Sequence, residues 1–225
     1  MAFFDYPSAA EFGRILPKNK IYENSNASAK VRQCFVDQVG QIIWQYKLAP
    51  ETTNLDATHS VAEIQVFKIN LRVANLDEEV LRSIDKAIPY PIYFELVHNG
   101  KRKAIAAYKR PSEADPAKWV ISEYFSSEWE AEHDPRQPLP SALNLGGLYE
   151  QLLSALIPEG AETDEPIAAR VERIQTIHLK QREVERIKSR LAHEKQFNKR
   201  VSINAELRTL NNELKRLGAT SGTLN

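Results

Sequence analysis

The stretch "IYFELVHNGKRKAIAAYK", residues 92–109, decides the fold because it predicts a β-hairpin. Asn99-Gly100 suits the two-residue type I′ turn, since both central residues of that turn need a positive φ. The turn also fixes the register of the two strands, and the expected cross-strand pairs are His98–Lys101, Leu96–Lys103 and Phe94–Ile105. An antiparallel pair of strands is therefore expected here, and the other elements are placed around it.

Two further segments predict strands. Residues 62–73, "AEIQVFKINLRV", alternate between apolar and polar side chains, but the apolar set changes parity after Val66. A strand buried on one face needs an extra residue for that change, which predicts a β-bulge near 66–68. A strand covered on both faces is the alternative. Residues 118–125, "KWVISEYF", predict another strand, joined to the hairpin through the proline-containing linker 110–117.

Two segments before the β-hairpin predict helices. Residues 28–49, "SAKVRQCFVDQVGQIIWQYKLA", begin with Ser28, a good N-cap. Their apolar positions form one helical stripe, namely Val31, Phe35, Val39, Ile42 or Ile43, and Tyr46. Residues 75–88, "NLDEEVLRSIDKAI", have Asn75 or Asp77 as the cap. The order of helices and strands predicts an α+β fold, with a mixed or antiparallel sheet and flanking helices.

The C-terminal tract, residues 167–217, contains no Pro and no Gly. One straight helix of this length would be ~75 Å long, which is too long to lie within a domain of this size. Its apolar residues form two stripes, one of Val184, Ile187 and Leu191 and one of Ile203, Leu207, Leu210 and Leu214. We expect these seven residues to form a coiled-coil seam, closed within a hairpin or between chains.

The two stripes differ in phase by about half a helical turn. This favours two helices, residues 167–200 and 203–217, with Ser202 or Asn204 as the N-cap of the second. One continuous helix with a shifted seam is the alternative. Either arrangement predicts a C-terminal long-helix or coiled-coil extension of the α+β domain.

Charge divides the chain into regions, although the whole chain is neutral. Residues 1–109 carry a net charge of +2, residues 110–165 carry −9 and residues 166–225 carry +7. The predicted segments are an α+β head domain at 1–125, an acidic linker at 126–166 with a short amphipathic helix at 145–157, a basic helical coiled-coil region at 167–217 and a disordered tail at 218–225.

No motif in the sequence predicts a catalytic, cofactor or metal site. The single cysteine excludes an internal disulfide and a cysteine-based zinc site, and the five histidines show no metal-ligand spacing. Glu63 and Glu95 lie on predicted strands near lysines, but neither begins the D/E-x-K element of restriction-type nucleases. Since no catalytic motif is present, we expect a non-enzymatic protein. We expect it to be cytoplasmic, since no signal peptide and no membrane-spanning apolar run are present.

The basic tract also suggests nucleic-acid binding, since lysines and arginines on a helix can contact phosphates. The candidate contacts are Arg186, Lys188, Arg190, Lys195, Lys199 and Arg200. Glu183, Glu185 and Glu194 interleave with these cations, a mixture that is also typical of coiled-coil flanks. Only Phe197 could stack on a base, so no aromatic platform for single strands is expected. We therefore expect a helix that faces a protein, with DNA binding as the alternative.

Six segments, spread over nearly the whole chain, carry a family resemblance. They are "LPKNKIY" (16–22), "WQYKLAPETTNL" (44–55), "EIQVFKINLR" (63–72), "IDKAIPYPIYFEL" (84–96), "LPSALNLGGLYEQLL" (139–153) and "FNKRVSINAELRTL" (197–210). With these segments the chain resembles an uncharacterised bacterial domain family. Its members look like small companion proteins, encoded near helicases and DNA methyltransferases in restriction or phage-defence loci. The resemblance implies no catalytic residue.

In that context the resemblance implies a non-enzymatic accessory subunit of a DNA-processing complex. Its partner would be a helicase or methyltransferase of the same locus, or a second copy bound through the C-terminal helices. Lys18, Lys20, Trp44, Tyr46 and Lys47 are the candidate partner surface, because they combine charge with aromatic area. The alternative for Trp44 and Tyr46 is that they cap the first helix against the sheet. A DNA-binding module and a degenerate nuclease-like domain are the alternative functions.

Overall fold

The computed structural model describes residues 2–115, 118–157 and 165–218. The chain forms two compact units, residues 1–158 and 159–225. We call the first unit the head and the second the hairpin. The predicted tail lies outside the described residues except for Gly218, and so do residues 158–164 of the predicted acidic linker.

The described part of the head contains nine strands and five α-helices. The strands are β1 (Phe4–Asp5), β2 (Glu11–Ile15), β3 (Val39–Leu48), β4 (Ile64–Leu71), β5 (Ile92–His98), β6 (Lys101–Pro111), β7 (Trp119–Ser126), β8 (Glu130–Ala131) and β9 (Gln137–Pro138). The helices are α1 (Lys18–Ser25), α2 (Ala29–Gln38), α3 (Pro50–Thr53), α4 (Glu78–Ala87) and α5 (Leu145–Ser154).

The main sheet runs in the order β2-β3-β4-β5-β6-β7, with β8 added to β6, while β1 pairs with β9. β4 and β5 are parallel, and the other neighbours in the main sheet are antiparallel. The predicted α+β class with a mixed sheet is confirmed. The parallel pair exists because α4 crosses between its two strands, a connection that antiparallel neighbours do not need.

The predicted β-hairpin of β5 and β6 is confirmed in turn and register. Asn99 and Gly100 have φ values of 48° and 72°, as a type I′ turn requires. The predicted cross-strand pairs, His98–Lys101, Leu96–Lys103 and Phe94–Ile105, are all present. The strand predicted at 118–125 is β7, which pairs with the outer side of β6.

The predicted helix at 75–88 is confirmed as α4. Asp77 is its N-cap, and the Asp77 Oδ1 atom accepts a hydrogen bond from the Glu79 amide at 2.9 Å. α1, α2 and α4 cover one face of β3, β4 and β5 with the main core cluster. Phe35 of α2, Phe67 of β4 and Ile84 of α4 are fully buried there.

The helix predicted at 28–49 is wrong over its second half, where the chain forms strand β3 instead. Ser28 caps α2 as predicted, but α2 ends at Gln38. The register of β3 against β4 shifts twice, and each shift leaves one extra residue on β3, Gly40 and Gln45. Because a bulge breaks the alternation of a strand, the apolar residues of β3 have a spacing that resembles a helical stripe.

β4 is covered on both faces over its first half. Its residues 64–67 are all buried, and its register with β5 runs without a shift. The register shift against β3 at Val66–Phe67 leaves its extra residue, Gln45, on β3 and not on β4. The predicted bulge of β4 near 66–68 is therefore wrong, and the alternative of a strand buried on both faces over part of its length is confirmed. Because both faces of β4 are covered over residues 64–67, apolar side chains are buried on either face there, and the apolar set can change parity without an extra residue.

The head extends past residue 125, where the sequence predicted its end. The Asn144 Oδ1 atom caps α5 by accepting from the Gly147 amide at 2.9 Å. The buried Tyr149 hydroxyl of α5 donates to the Ala107 carbonyl oxygen at 2.7 Å and accepts from the Lys109 amide at 2.9 Å. Residues 126–157, assigned to a linker from their acidic and proline-rich composition, are therefore part of the head.

The hairpin consists of α6 (Ile167–His193) and α7 (Phe197–Arg216). The helices separate at residues 194–196, so the predicted boundaries at 200 and 203 are wrong. Glu194 and Gln196 have extended backbone angles that reverse the chain, and the Glu194 Oε1 atom accepts from the Gln196 amide at 2.8 Å. Ser202 and Asn204, the predicted caps, lie inside α7. The phase shift of the two stripes thus comes from the connection, not from a cap.

No helix among the described residues is long and apolar enough to cross a membrane.

Candidate interaction surfaces

The hairpin brings the seven predicted seam residues into one apolar cluster. Buried in it are Val184, Ile187, Ile203, Leu210 and Leu214, and Leu191, Leu207 and Ile177 pack against them. Ile177 was not part of the predicted seam. The cluster joins α6 to α7 within one chain, so a single copy covers its own seam.

Charged pairs lie alongside the seam and show the direction of the two helices. The Lys180 ammonium lies 2.6 Å from a Glu213 carboxylate oxygen, and Arg190 pairs with Glu206 nearer the connection. Since residue numbers rise along α6 while their partners' numbers fall along α7, the helices are antiparallel. Glu213 and Glu206 of α7 therefore pair with cations of α6 within the hairpin itself.

The six candidate nucleic-acid contacts divide into two groups. Lys188 pairs with Glu185 at 2.7 Å, and Arg190 pairs with Glu206, so both are partly neutralised. The other four side chains are exposed and have no acidic partner within 4.0 Å among the described residues; they are Arg186, Lys195, Lys199 and Arg200.

Three of these four cations lie at the turn end of the hairpin, residues 194–201, which we call the hairpin tip. Phe197 is 78% exposed and Val201 is 54% exposed, one helical turn apart on α7. The N-cap of α7, Gln196, provides no side-chain hydrogen bond, and the first turn of α7 contains no acidic residue. The tip thus combines exposed apolar area, three cations without an acidic partner among the described residues, and a helix whose first turn contains no acidic residue.

Lys18, a predicted partner-surface residue, is engaged inside the head. Its ammonium donates to the carbonyl oxygens of Phe35 at 2.8 Å and of Val39 at 2.5 Å. The Phe35 carbonyl lies in the last turn of α2, where it also accepts from the Val39 amide, and Val39 is the first residue of β3. Partial burial, together with the nearby Arg72, lowers the pKa of Lys18. Lys18 therefore stabilises the α2–β3 junction.

Trp44 and Tyr46 lie on opposite faces of the sheet. Trp44 stacks on Phe67 in the main core, and its indole N–H donates to Gln65 at 2.8 Å. Tyr46 instead contacts Tyr6, with ring centroids 4.6 Å apart. Two residues apart on a regular strand they would share a face, but the extra residue between them, Gln45, puts them on opposite faces. The two rings therefore do not form one aromatic patch, and Trp44 packs against the core cluster that includes Phe35 of α2.

The two remaining lysines of the predicted surface also have acidic neighbours. Lys47 lies 2.9 Å from a Glu63 carboxylate oxygen and 3.2 Å from one of Glu51. Lys20 pairs with Glu23 at 3.3 Å, and both side chains of that pair are well exposed. Of the five candidates, Lys20 is therefore the one whose side chain is mostly exposed and is not engaged inside the head.

The face of the sheet opposite α1, α2 and α4 contains a charged cluster that the sequence did not predict. Glu95 of β5 is 3% exposed, and its carboxylate accepts two hydrogen bonds from the Arg136 guanidinium, at 2.8 and 2.7 Å. These bonds, together with the charge of Glu95, raise the pKa of Arg136. Burial and the nearby Glu95 raise the pKa of the Tyr6 hydroxyl.

Glu95 and Lys68 bear on the nuclease alternative, because they lie side by side on adjacent strands. The Lys68 ammonium lies 2.9 Å from a Glu132 carboxylate oxygen, and Glu95 is held by Arg136. Glu63, the other acid considered, pairs with Lys47. Glu95 lies on β5, a central strand of the main sheet.

A second enclosed group, Lys109, closes the C-terminal end of α4. Its ammonium donates to the carbonyl oxygens of Asp85 and Ile88, both at 2.5 Å, and lies 3.4 Å from Asp85 Oδ1. The Tyr124 hydroxyl donates to Asp85 Oδ2 at 2.5 Å. Burial raises the pKa of Asp85 and lowers that of Lys109, and each charge partly opposes the shift of the other.

These buried charges had a weak sequence signal. A charged residue within an apolar strand segment, such as Glu95 in "IYFEL" or Lys109 after "AIAAY", indicates a buried partner, but the partner's position is not visible. Among the described residues, no group of three or more His, Cys, Asp or Glu side chains is placed to hold a metal ion.

Comparison with known proteins places the whole arrangement in a family. A family model, described as Domain of unknown function (DUF4391), matches residues 4–214. The chain belongs to this family. The matched range includes strand β1 at one end and most of α7 at the other, so both the head and the hairpin are part of what defines DUF4391. No curated protein and no solved structure matches the chain.

Proposed function

We propose that this DUF4391 protein is a non-enzymatic accessory subunit of a bacterial DNA-processing complex of the restriction or phage-defence type. The hairpin carries this proposal. It is a compact unit of its own, its apolar seam is covered within the chain, and exposed apolar and basic side chains remain at its tip. Because the apolar seam of the hairpin is covered within one chain, its core needs no second chain. The exposed apolar and basic side chains are therefore available for a partner.

The ion pairs inside the head support a structural role for its buried charges. Glu95 is enclosed and held by two hydrogen bonds from Arg136, and the Lys109 ammonium is enclosed between Asp85 and Ile88. Ion-pair networks of this kind perturb pKa values in proteins without any catalytic role. These groups stabilise the fold, and their hydrogen-bonding positions are occupied by the chain itself.

The class of partner comes from the family resemblance, which includes the hairpin segment 197–210. Companion proteins encoded near helicases and DNA methyltransferases have those enzymes as their natural partners. Four of the five predicted contact residues on the head are engaged within the head. We therefore propose that the partner binds mainly to the C-terminal helices. The head then contributes through other surface residues.

The experiment is capture of the chromosomally tagged full-length chain from its host after nuclease treatment of the lysate. Nuclease removes partners that are joined only through DNA. We expect the helicase or methyltransferase of the same locus to co-purify and to co-migrate with the chain when both are purified. Ile187→Lys, which disrupts the buried seam, should lose the partner, whereas Leu179→Lys at a position that is 61% exposed should retain it. If neither enzyme co-migrates with the wild-type chain, the proposal is wrong.

A further inference from the structure

The strongest unexplained feature is an electrostatic conflict at the start of α7. The N-terminus of a helix carries a partial positive charge, which acidic side chains stabilise and cations destabilise. The first turn of α7 contains no acid and includes Lys199, which Arg200 follows. The Glu194 carboxylate, which accepts from the Gln196 amide at 2.8 Å, is the one acid in residues 194–201, against the three cations Lys195, Lys199 and Arg200. An excess of cations over acids at a helix N-terminus breaks a local rule, and such exceptions are typical of functional sites.

From this conflict we infer that the hairpin tip binds the phosphates of a double-stranded DNA backbone. The contacts are the side chains of Lys195, Lys199 and Arg200, with the amide groups of the first turn of α7, and Arg186 extends the site along α6. This inference goes beyond the proposed function, which concerns a protein partner, and each can fail without the other.

The positive charge of the region is complementary to the negative charge of a polyanion. Residues 186–201 contain six Lys and Arg side chains and one acid, Glu194. Four of these six, Arg186, Lys195, Lys199 and Arg200, have no acidic partner within 4.0 Å among the described residues. Arg186 lies about two helical turns, ~10 Å, before the end of α6, so the cations extend over that distance from the tip along the hairpin. A phosphate backbone offers acceptors over such a distance.

The backbone amides at the tip add donors of the right kind. The first amide groups of any α-helix have no partner within the helix, and a side-chain cap normally accepts from one of them. In α7 the N-cap residue Gln196 makes no such bond. Free amide groups at a helix N-terminus, together with the dipole, form a ready site for a phosphate group.

Exposed apolar area at the tip suits a duplex better than a single strand. Phe197 and Val201 are exposed one turn apart. A single aromatic side chain provides no series of stacking positions, which single-strand binding requires. The expected contact is therefore with phosphate and sugar groups, and it is independent of sequence, since backbone contacts carry no direct sequence information.

The test is fluorescence anisotropy of a labelled 20-base-pair duplex with the purified full-length chain, from low to physiological salt. Four phosphate contacts predict a slope of about −3.6 for log Kobs against log salt, that is about −0.9 for each contact. The triple variant Lys195→Gln, Lys199→Gln, Arg200→Gln should bind at least tenfold more weakly, with a slope near −0.9. A duplex of unrelated sequence should give the same values.

The matched control is Arg208→Gln, Lys215→Gln, Arg216→Gln, which removes the same charge from the rest of α7. It should bind within about twofold of the wild type, since these cations lie away from the tip. Thermal unfolding followed by circular dichroism checks both variants. The tip variant should keep or raise its Tm, because it removes cations from the positive end of the helix dipole. Loss of binding with intact or higher stability separates the site from misfolding.

Three results would overturn the inference. The first is absence of duplex binding by the wild type at 50 mM salt. The second is an equal loss of binding in the tip variant and the control, which would mean diffuse attraction by net charge. The third is competition by poly-glutamate as effective as competition by unlabelled duplex at equal charge, which would assign the tip to an acidic protein.

Discussion

The Arg136 guanidinium holds the Glu95 carboxylate by two hydrogen bonds, 2.8 and 2.7 Å long, on the face of the sheet opposite α4. Arg136 also donates to the Phe4 carbonyl oxygen at 3.0 Å, and β1 pairs with β9 beside it. This one side chain therefore ties the N-terminal segment and the loop after β8 to the central strand β5. Because the Glu95 carboxylate is buried next to a charge of opposite sign, loss of either partner is expected to destabilise the head.

We predict that Arg136→Met destabilises the head by about 3 kcal/mol, because Glu95 is then left buried without a counter-charge. Urea unfolding followed by tryptophan fluorescence measures the change, since all three tryptophans lie in the head. Arg110→Met is the control, as it breaks an exposed pair with Glu113 and should change the free energy of unfolding by less than about 0.5 kcal/mol. Equal effects of the two substitutions would contradict the prediction.

The double variant Glu95→Met, Arg136→Met gives a second reading of the same pair. It removes both charges, so no uncompensated carboxylate remains in the interior. Its free energy of unfolding should lie closer to the wild type than the sum of the two single changes predicts. Additivity of the two single changes would show that the residues act independently.

Lys109→Met is predicted to produce a stability loss that depends on pH. Without the ammonium, Asp85 keeps its burial but loses the charge that lowers its pKa, so the folded-state pKa rises further. A carboxyl group whose folded pKa lies above its unfolded value favours folding at low pH and loses that contribution as pH rises through the folded pKa. The deficit of the variant against the wild type should therefore be smaller at pH 4.5 than at pH 7.5.

The measurement is urea unfolding of wild type and variant at both pH values. Lys118→Met is the matched control, because it removes a lysine from an exposed pair with Asp115. Its difference from the wild type should stay within about 0.5 kcal/mol at both pH values. A Lys109→Met deficit that is the same at pH 4.5 and pH 7.5 would show that Asp85 does not respond to the loss of the ammonium.

The accuracy of the sequence-based prediction depended on how local the signal was. The turn at Asn99-Gly100 and the cap at Asp77 are set by residues a few positions apart, and both were predicted correctly. β3 was mistaken for helix because its two extra residues alter the spacing of its apolar side chains. That change depends on the pairing with β4, which no local pattern shows.

The candidate surfaces show the same limit. The seam residues could be chosen from spacing alone, since one apolar stripe must be covered by something. Lys18, Trp44 and Tyr46 looked like surface residues because their partners lie 17 or more positions away or on another strand. Glu95 could be recognised as an anomaly in an apolar strand, but Arg136 is 41 residues distant, so the pair itself was not predictable.

Gly100→Ala is predicted to destabilise the head by about 1 kcal/mol. The φ of Gly100 is 72°, a region where a residue with a Cβ atom is strained, although no neighbouring atom obstructs a Cβ atom at this position. Gly147→Ala in α5 is the contrasting control, because its φ is ordinary and a Cβ atom there would meet neighbours at 3.7 Å or more. Alanine in a helix favours folding over glycine, so this variant should be as stable as the wild type or more so.

Ile187→Ala is predicted to open the hairpin while the head stays folded. Ile187 is 1% exposed between α6 and α7, and removing a buried side chain of this size costs about 2–5 kcal/mol. The hairpin is a small unit with few buried residues, so a loss of this size should unfold much of it at 37 °C. Circular dichroism at 222 nm reports α6 and α7, the two longest helices, whereas tryptophan fluorescence reports the head alone.

We expect the helical signal of Ile187→Ala to fall and its fluorescence transition to stay in place. Leu179→Ala, at an exposed position of the same helix, should leave both signals unchanged. A joint shift of both signals in Ile187→Ala would show instead that the hairpin and the head unfold as one cooperative unit.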